Sequence, residues 1–137
     1  MKTVNLKAYR AKEITLVNTV ENGTKLEIEH KYSYNVNYSR TNTCKGEITL
    51  SASAKEHSEK FRIKVVMEGI FTFEDGVAKE KIHHETYKEL FPYARALITT
   101  VTANAGIPPI VMPAIDIEKQ SIYRFDGPII PPKKDDN

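Results

Sequence analysis

From Lys25 to Tyr38 apolar and polar residues alternate without a break. Leu26, Ile28, His30, Tyr32, Tyr34, Val36 and Tyr38 fall on one side, and Lys25, Glu27, Glu29, Lys31, Ser33, Asn35 and Asn37 on the other. Successive side chains of a strand point to opposite faces, so this period predicts a long, half-buried β-strand. Ile48, Leu50, Ala52 and Ala54 continue the pattern against Glu47, Thr49, Ser51 and Ser53. After a polar reversal at Lys55–Glu59, Phe61, Ile63, Val65, Met67, Gly69, Phe71 and Phe73 hold one face of a further long strand. A shorter run, Ile14 to Val20, ends at Asn22-Gly23, a pair that favours a tight turn. Strands of this kind form an antiparallel sheet with one face in water.

Beyond Glu74-Asp75-Gly76 the period changes. Leu90, Tyr93, Ala94, Leu97, Ile98, Val101 and Ala105 recur at helical spacing, predicting a helix from about Pro92 to Asn104. Pro92 then sits in the first turn, where its missing N–H costs nothing, and Gly106 ends the helix. Lys79–Lys88 is polar and reads as a short helix or an irregular crossover. Ile107–Pro113 and Gly127–Pro132 are apolar but interrupted by prolines, which suits neither a regular helix nor a central strand. The expected fold is α+β: an antiparallel four-stranded sheet, one main helix packed on one face, and an irregular Pro-rich C-terminal segment. One domain is expected over residues 1–126, followed by a Pro-rich polar tail over 127–137.

With 137 residues the chain supports one core. Twenty Lys and Arg face eighteen Asp and Glu, interspersed along the chain, which lacks the basic stripe of a nucleic-acid binder. Cys44 stands alone and cannot close an internal disulfide, in keeping with a reducing compartment. The segment Met1–Lys7 has no apolar stretch of the signal-peptide kind and no later run is long enough to span a bilayer, so the expectation is a cytoplasmic protein without membrane insertion.

Catalytic or metal chemistry finds little support. His83-His84-Glu85 lacks a second ligand pair at helical spacing and reads as a solvated stretch, and His30 as a core residue. No phosphate-binding loop or nucleophile elbow occurs, so neither cofactor nor catalytic residue is assigned. The area to be covered is more informative. A helix of about fourteen residues is about 21 Å long. Four strands about 4.8 Å apart present a wider and longer apolar face than that. The uncovered part, including Tyr32, Tyr34 and Tyr38, requires the Pro-rich segments, a second subunit or a ligand.

Two segments carry a family resemblance. Gly69-Ile70-Phe71, and twenty positions on Leu90-Phe91-Pro92-Tyr93-Ala94-Arg95, match the wording of SecB, the export chaperone family that holds unfolded preproteins. Tyr9-Arg10-Ala11-Lys12-Glu13-Ile14-Thr15-Leu16 is similar to the family's Tyr-x-x-Lys-Asp-Ile-Ser-Phe segment, with one residue of slip at the tyrosine. Lys25–Glu29 and Gly106-x-x-Pro109 also resemble family segments. The resemblance implies a homotetramer, built as a dimer of dimers, with grooves for unfolded chain. Carried over by position, the client-groove candidates are Leu26, Ile28, Phe71, Phe73, Leu90, Phe91, Tyr93, Ile107, Ile110 and Met112.

This chain departs from the family in two places. The family docks the translocase motor SecA on an acidic patch of the outer sheet face. Of that patch Glu13 keeps its acid, whereas Val17 and Lys64 stand where the family has acids and Arg62 where it has an apolar residue, which opposes docking on a partner that prefers acid. The family's second helix has room for only two or three turns within Ile115–Phe125 before Gly127-Pro128. The functional expectation is an ATP-independent holdase for unfolded or preprotein chains, serving export or one dedicated client such as a toxin–antitoxin pair. The alternative from another class is a small-molecule carrier using the sheet–helix cavity.

Overall fold

The computed structural model describes residues 3–114. The expected short C-terminal helix and the 127–137 tail lie outside the described residues. Strands β1 (Val4–Asn18), β2 (Ile28–Arg40), β3 (Thr43–Ala54) and β4 (Phe61–Phe73) precede one helix, α1 (Lys79–Asn104). They form an antiparallel sheet in the order β1-β4-β3-β2, with α1 packed on one face. The expected four strands and main helix are therefore present among the described residues.

β4 keeps the bounds that its alternation sets. β3 starts earlier than expected because its first core-facing positions are Cys44 and Gly46, too small to mark an apolar face. β1 is much longer than the Ile14–Val20 run suggests. Two bulges interrupt its pairing with β4, between Leu6 and Ala8 and between Ala11 and Glu13. Each shifts the inward parity, so Leu6, Tyr9, Ala11, Ile14 and Leu16 stand opposite the core-facing Phe71, Gly69, Met67, Val65 and Ile63. A strand that changes parity twice shows no simple period of two.

The helix differs most from expectation. It runs through Lys79–Lys88, so Pro92 lies in its interior and not in its first turn. The reason is a buried stripe at spacing four: Ile82, Thr86, Leu90, Ala94, Ile98 and Thr102. Thr86 and Thr102 read as polar, yet their hydroxyls donate back to the carbonyls of Ile82 (2.7 Å) and Ile98 (2.8 Å), so each is buried without a loose polar group. At 26 residues α1 is about 39 Å long, and it covers more sheet than expected. Tyr34, expected to remain uncovered, is buried against Thr86, His83 and Tyr87. As expected, the helix stops at Gly106, whose φ of +81° is left-handed and turns the chain back.

The two most distinctive sequence segments meet in the core. Gly46 and Gly69 are cross-strand neighbours on the covered face. Tyr34 lies over Gly46, and Leu90 sits with Leu6 and Phe71 over Gly69. Leu90 and Phe71 are fully buried there. A side chain at either glycine would occupy space that these residues now fill.

Candidate functional site

At one end of the sandwich the β1–β2 loop, the start of β4 and the segment after α1 enclose a groove of about 430 Å³. Its apolar lining comes from Val20, Leu26, Ile28, Phe61, Ile107 and Ile110, with Pro108 and Pro109 beside them; Asn18, Glu21, Asn22 and Thr24 supply the polar lining. Two features hold the loop in shape. The Thr24 N–H donates to the Glu21 carbonyl at 3.2 Å across Asn22-Gly23, closing a turn with Gly23 at φ +84°. The Lys55 N–H donates to the Glu27 carbonyl at 2.9 Å, carrying the strand pairing just past Ile28. The opposite wall follows from proline chemistry: with two donors missing, Ile107–Ile110 joins neither helix nor sheet.

Of the ten groove candidates from sequence, Leu26, Ile28, Ile107 and Ile110 line this groove together. Phe71, Leu90 and Met112 are fully buried, and Phe91 nearly so, tilted against Tyr32 and stacked on Tyr87. Phe73 packs edge-on to Tyr38 at the far end of the sheet. Tyr93 lies on the flank of α1 beside β1, partly exposed and stacked on Tyr9 with ring centroids 4.4 Å apart. With the exposed Ile14 this stack forms a second apolar surface along β1. Val20 and Phe61 were not singled out as groove residues. Val20 is separated from the Asn22-Gly23 turn by one residue, and Phe61 opens its strand; such end positions belong to a strand's rim as well as its core.

The four docking positions from sequence also meet, on the outer sheet face. Val17 pairs with Arg62 and Thr15 with Lys64 in the β1–β4 ladder. Lys64 Nζ lies 3.7 Å from Glu13 Oε2, which also accepts from the Thr15 hydroxyl at 3.1 Å. The Arg62 guanidinium donates to the carbonyls of Ser58 and Glu59. Nearby, Glu68 is buried, facing Arg10 at 3.4 Å and Lys12 at 3.9 Å. The one acid among the four positions is thus already engaged by a lysine.

Burial raises the pKa of the Cys44 thiol, and likewise those of the Tyr34, Tyr32 and Tyr38 phenols. Cys44 is fully enclosed and remains a thiol, the reverse of what a nucleophile needs. Among the described residues no group of three or more His, Cys, Asp or Glu is placed to hold a metal, and no helix is long and apolar enough to cross a membrane.

A one-sided antiparallel sheet, a long helix on it and an open apolar groove at one end define an α+β module that offers surface for contact. Its family follows from comparison. The chain belongs to the SecB family: residues 3–125 match the family described as preprotein translocase subunit SecB. The protein-export protein SecB of Caulobacter vibrioides is 39% identical over 75 residues, covering 51% of this chain and 45% of that protein. That of Anaplasma marginale is 33% identical over 88 residues, covering 59% and 50%. An uncharacterised protein of Methanocaldococcus jannaschii is 64% identical over 28 residues, 20% of this chain and 18% of that one. The matches thus span half or less of the length of these curated relatives. Among solved structures, the SecB-like chaperone of Mycobacterium tuberculosis, in complex with a ChAD peptide from the HigA1 antitoxin, superposes with a TM-score of 0.65. The sequences are 11% identical there, and 82% of this chain and 91% of that one are covered, a likeness of fold.

Proposed function

We propose that this chain is a holdase chaperone that binds non-native protein segments in the groove between the β1–β2 loop and the Ile107–Ile110 segment, without ATP. The observation that carries this reading is an open apolar lining, Val20, Leu26, Ile28, Phe61, Ile107 and Ile110, in a member of the SecB family. Apolar client side chains lose water against these residues, and no bond is made or broken. At about 25 cal/mol per Å² buried, each client side chain contributes ~1–2 kcal/mol, so useful affinity comes from several contacts along one client. The Tyr9–Tyr93 stack and Ile14 give the chain apolar surface for self-association, consistent with a cytoplasmic homo-oligomer.

A dedicated client is the preferred form of this reading. Lys64 and Arg62 oppose docking on SecA in the family's usual manner, and the mycobacterial neighbour was solved with a peptide from an antitoxin. The test is light scattering of an aggregating unfolded protein with and without this chain. Suppression near one-to-one supports the holdase. No suppression at severalfold excess, together with a small molecule that co-purifies, would establish the carrier instead.

A further inference from the structure

After Gly106 the chain runs back over the last turns of α1, and it is held there in an unusual way. The Ile110 N–H donates to the Thr102 hydroxyl at 2.9 Å, and the Ile110 carbonyl accepts from the Thr99 hydroxyl at 2.8 Å. Both backbone groups of one residue are therefore satisfied by side chains of the helix and not by a strand. The Thr102 hydroxyl donates to the Ile98 carbonyl at 2.8 Å, which leaves its lone pair facing Ile110. Two residues on, Met112 is fully buried, and the Pro113 carbonyl accepts from the Tyr32 hydroxyl at 2.5 Å. Pro108, Pro109, Val111 and Pro113 are exposed.

These contacts belong to the kind by which a groove takes an extended peptide. Two hydroxyls read the N–H and C=O of any non-proline residue, and a closed pocket takes a flexible aliphatic side chain two positions later. The strap also forms one wall of the open groove through Ile107 and Ile110. Its release would lengthen that groove toward Tyr32 and Phe91, whose rings lie 6.4 Å apart.

We propose that the slot filled by Ile110–Pro113 is a chain-recognition subsite, and that this strap is its resident occupant, displaced by an incoming client segment. The ligand class is an extended segment in which a non-proline residue is followed two positions later by Met or Leu. The proposal deepens the holdase reading and rests on it. Client binding is weakened by the fraction of time the strap is closed, so loosening the strap tightens binding.

The probe is a fluorescent eight-residue peptide with the sequence of Ile107–Ala114, titrated against the full chain and followed by anisotropy. Met112→Ala empties the pocket and leaves both threonines in place, and it should bind the probe ~10-fold more tightly than the unaltered chain. A probe N-methylated at the residue corresponding to Ile110 should lose most of that gain. Thr99→Val with Thr102→Val should abolish the difference between the two probes. Equal probe affinity in Met112→Ala and the unaltered chain, with a native circular-dichroism spectrum, overturns the proposal. Should Met112→Ala not fold, Tyr32→Phe releases the Pro113 carbonyl and should tighten the probe ~2–3-fold; no change overturns the proposal equally. Light scattering separates the two levels. A chain that suppresses aggregation but shows no strap effect refutes the subsite alone, whereas one that suppresses nothing refutes the holdase.

Discussion

Replacing Gly46 by alanine tests how the edge strand β2 is fixed to the helix. Gly46 faces α1 from β3, and the Tyr34 side chain crosses directly over it. A methyl group there would overlap the Tyr34 hydroxyl and lie 2.9 Å from the ring carbon that bears it and 3.1 Å from the next. Tyr34 cannot lift away freely. Its hydroxyl is bonded to Thr86, its ring packs against His83 and Tyr87, and it is 7% exposed. Overpacking of a closed core costs about 1–3 kcal/mol. Losing the Tyr34–Thr86 hydrogen bond adds about 1 kcal/mol. Gly46→Ala should thus destabilise the fold by ~2–4 kcal/mol, lowering the midpoint of thermal unfolding by roughly 6–16 °C for a domain of this size. The assay is urea denaturation of the single variants, of Tyr34→Leu, and of the double variant. With the ring gone, the alanine methyl has room and its added cost should fall below ~1 kcal/mol, a coupling of about 2 kcal/mol. If Gly46→Ala costs the same in both backgrounds, Tyr34 is not what keeps position 46 small, and the reasoning fails.

Three further outcomes are expected. Arg62→Glu with Lys64→Glu restores acid to the outer face, frees Glu13 from its ion pair and should create or strengthen SecA binding in a pull-down or plasmon-resonance measurement. Tight SecA binding by the unaltered chain would contradict this reading of the face. The raised pKa values of Cys44 and Tyr34 make the folded state hold protons that the unfolded chain releases. Their contribution is therefore intact below pH 9, the ordinary value for the thiol, and is lost as pH rises past 9 for Cys44 and past 10 for Tyr34. Tyr34→Phe should flatten the decline above pH 10 in denaturant titrations, at a cost of about 1 kcal/mol at neutral pH. Pro92 removes one interior hydrogen bond from α1 at an exposed position, so Pro92→Ala should stabilise by ~1–3 kcal/mol, read as a higher unfolding midpoint.

The sheet was legible where side-chain size and period agreed, as along Phe61–Phe73. It was obscured where small residues stand on the core face, as with Cys44 and Gly46, and where β1 changes parity. In α1 the period was hidden by Thr86 and Thr102, whose polarity is satisfied locally by the preceding turn. That concealment moved the expected start of the helix to Pro92 and overstated the uncovered area around Tyr34. In the groove, the apolar character of Leu26, Ile28, Ile107 and Ile110 is legible in the sequence, and the structure brings these four candidates to one lining. The burial of Met112 was not, because it depends on a hydrogen-bonded strap that has no periodic signature.

The bulges of β1 bear on how this chain compares with its relatives. Lys7 and Lys12 are the residues left out of the β1–β4 register. Deleting either would leave every other residue of β1 facing the way it already does, whereas a deletion in a regularly paired stretch would invert one side of the strand. The strand therefore contains two places where its length is free to drift by one without disturbing the core. Both lie on β1, which is an edge strand of the sheet. A relative shorter by one residue at Lys7 or Lys12 would therefore keep the same core, each lysine being a spare link that the edge of the sheet absorbs.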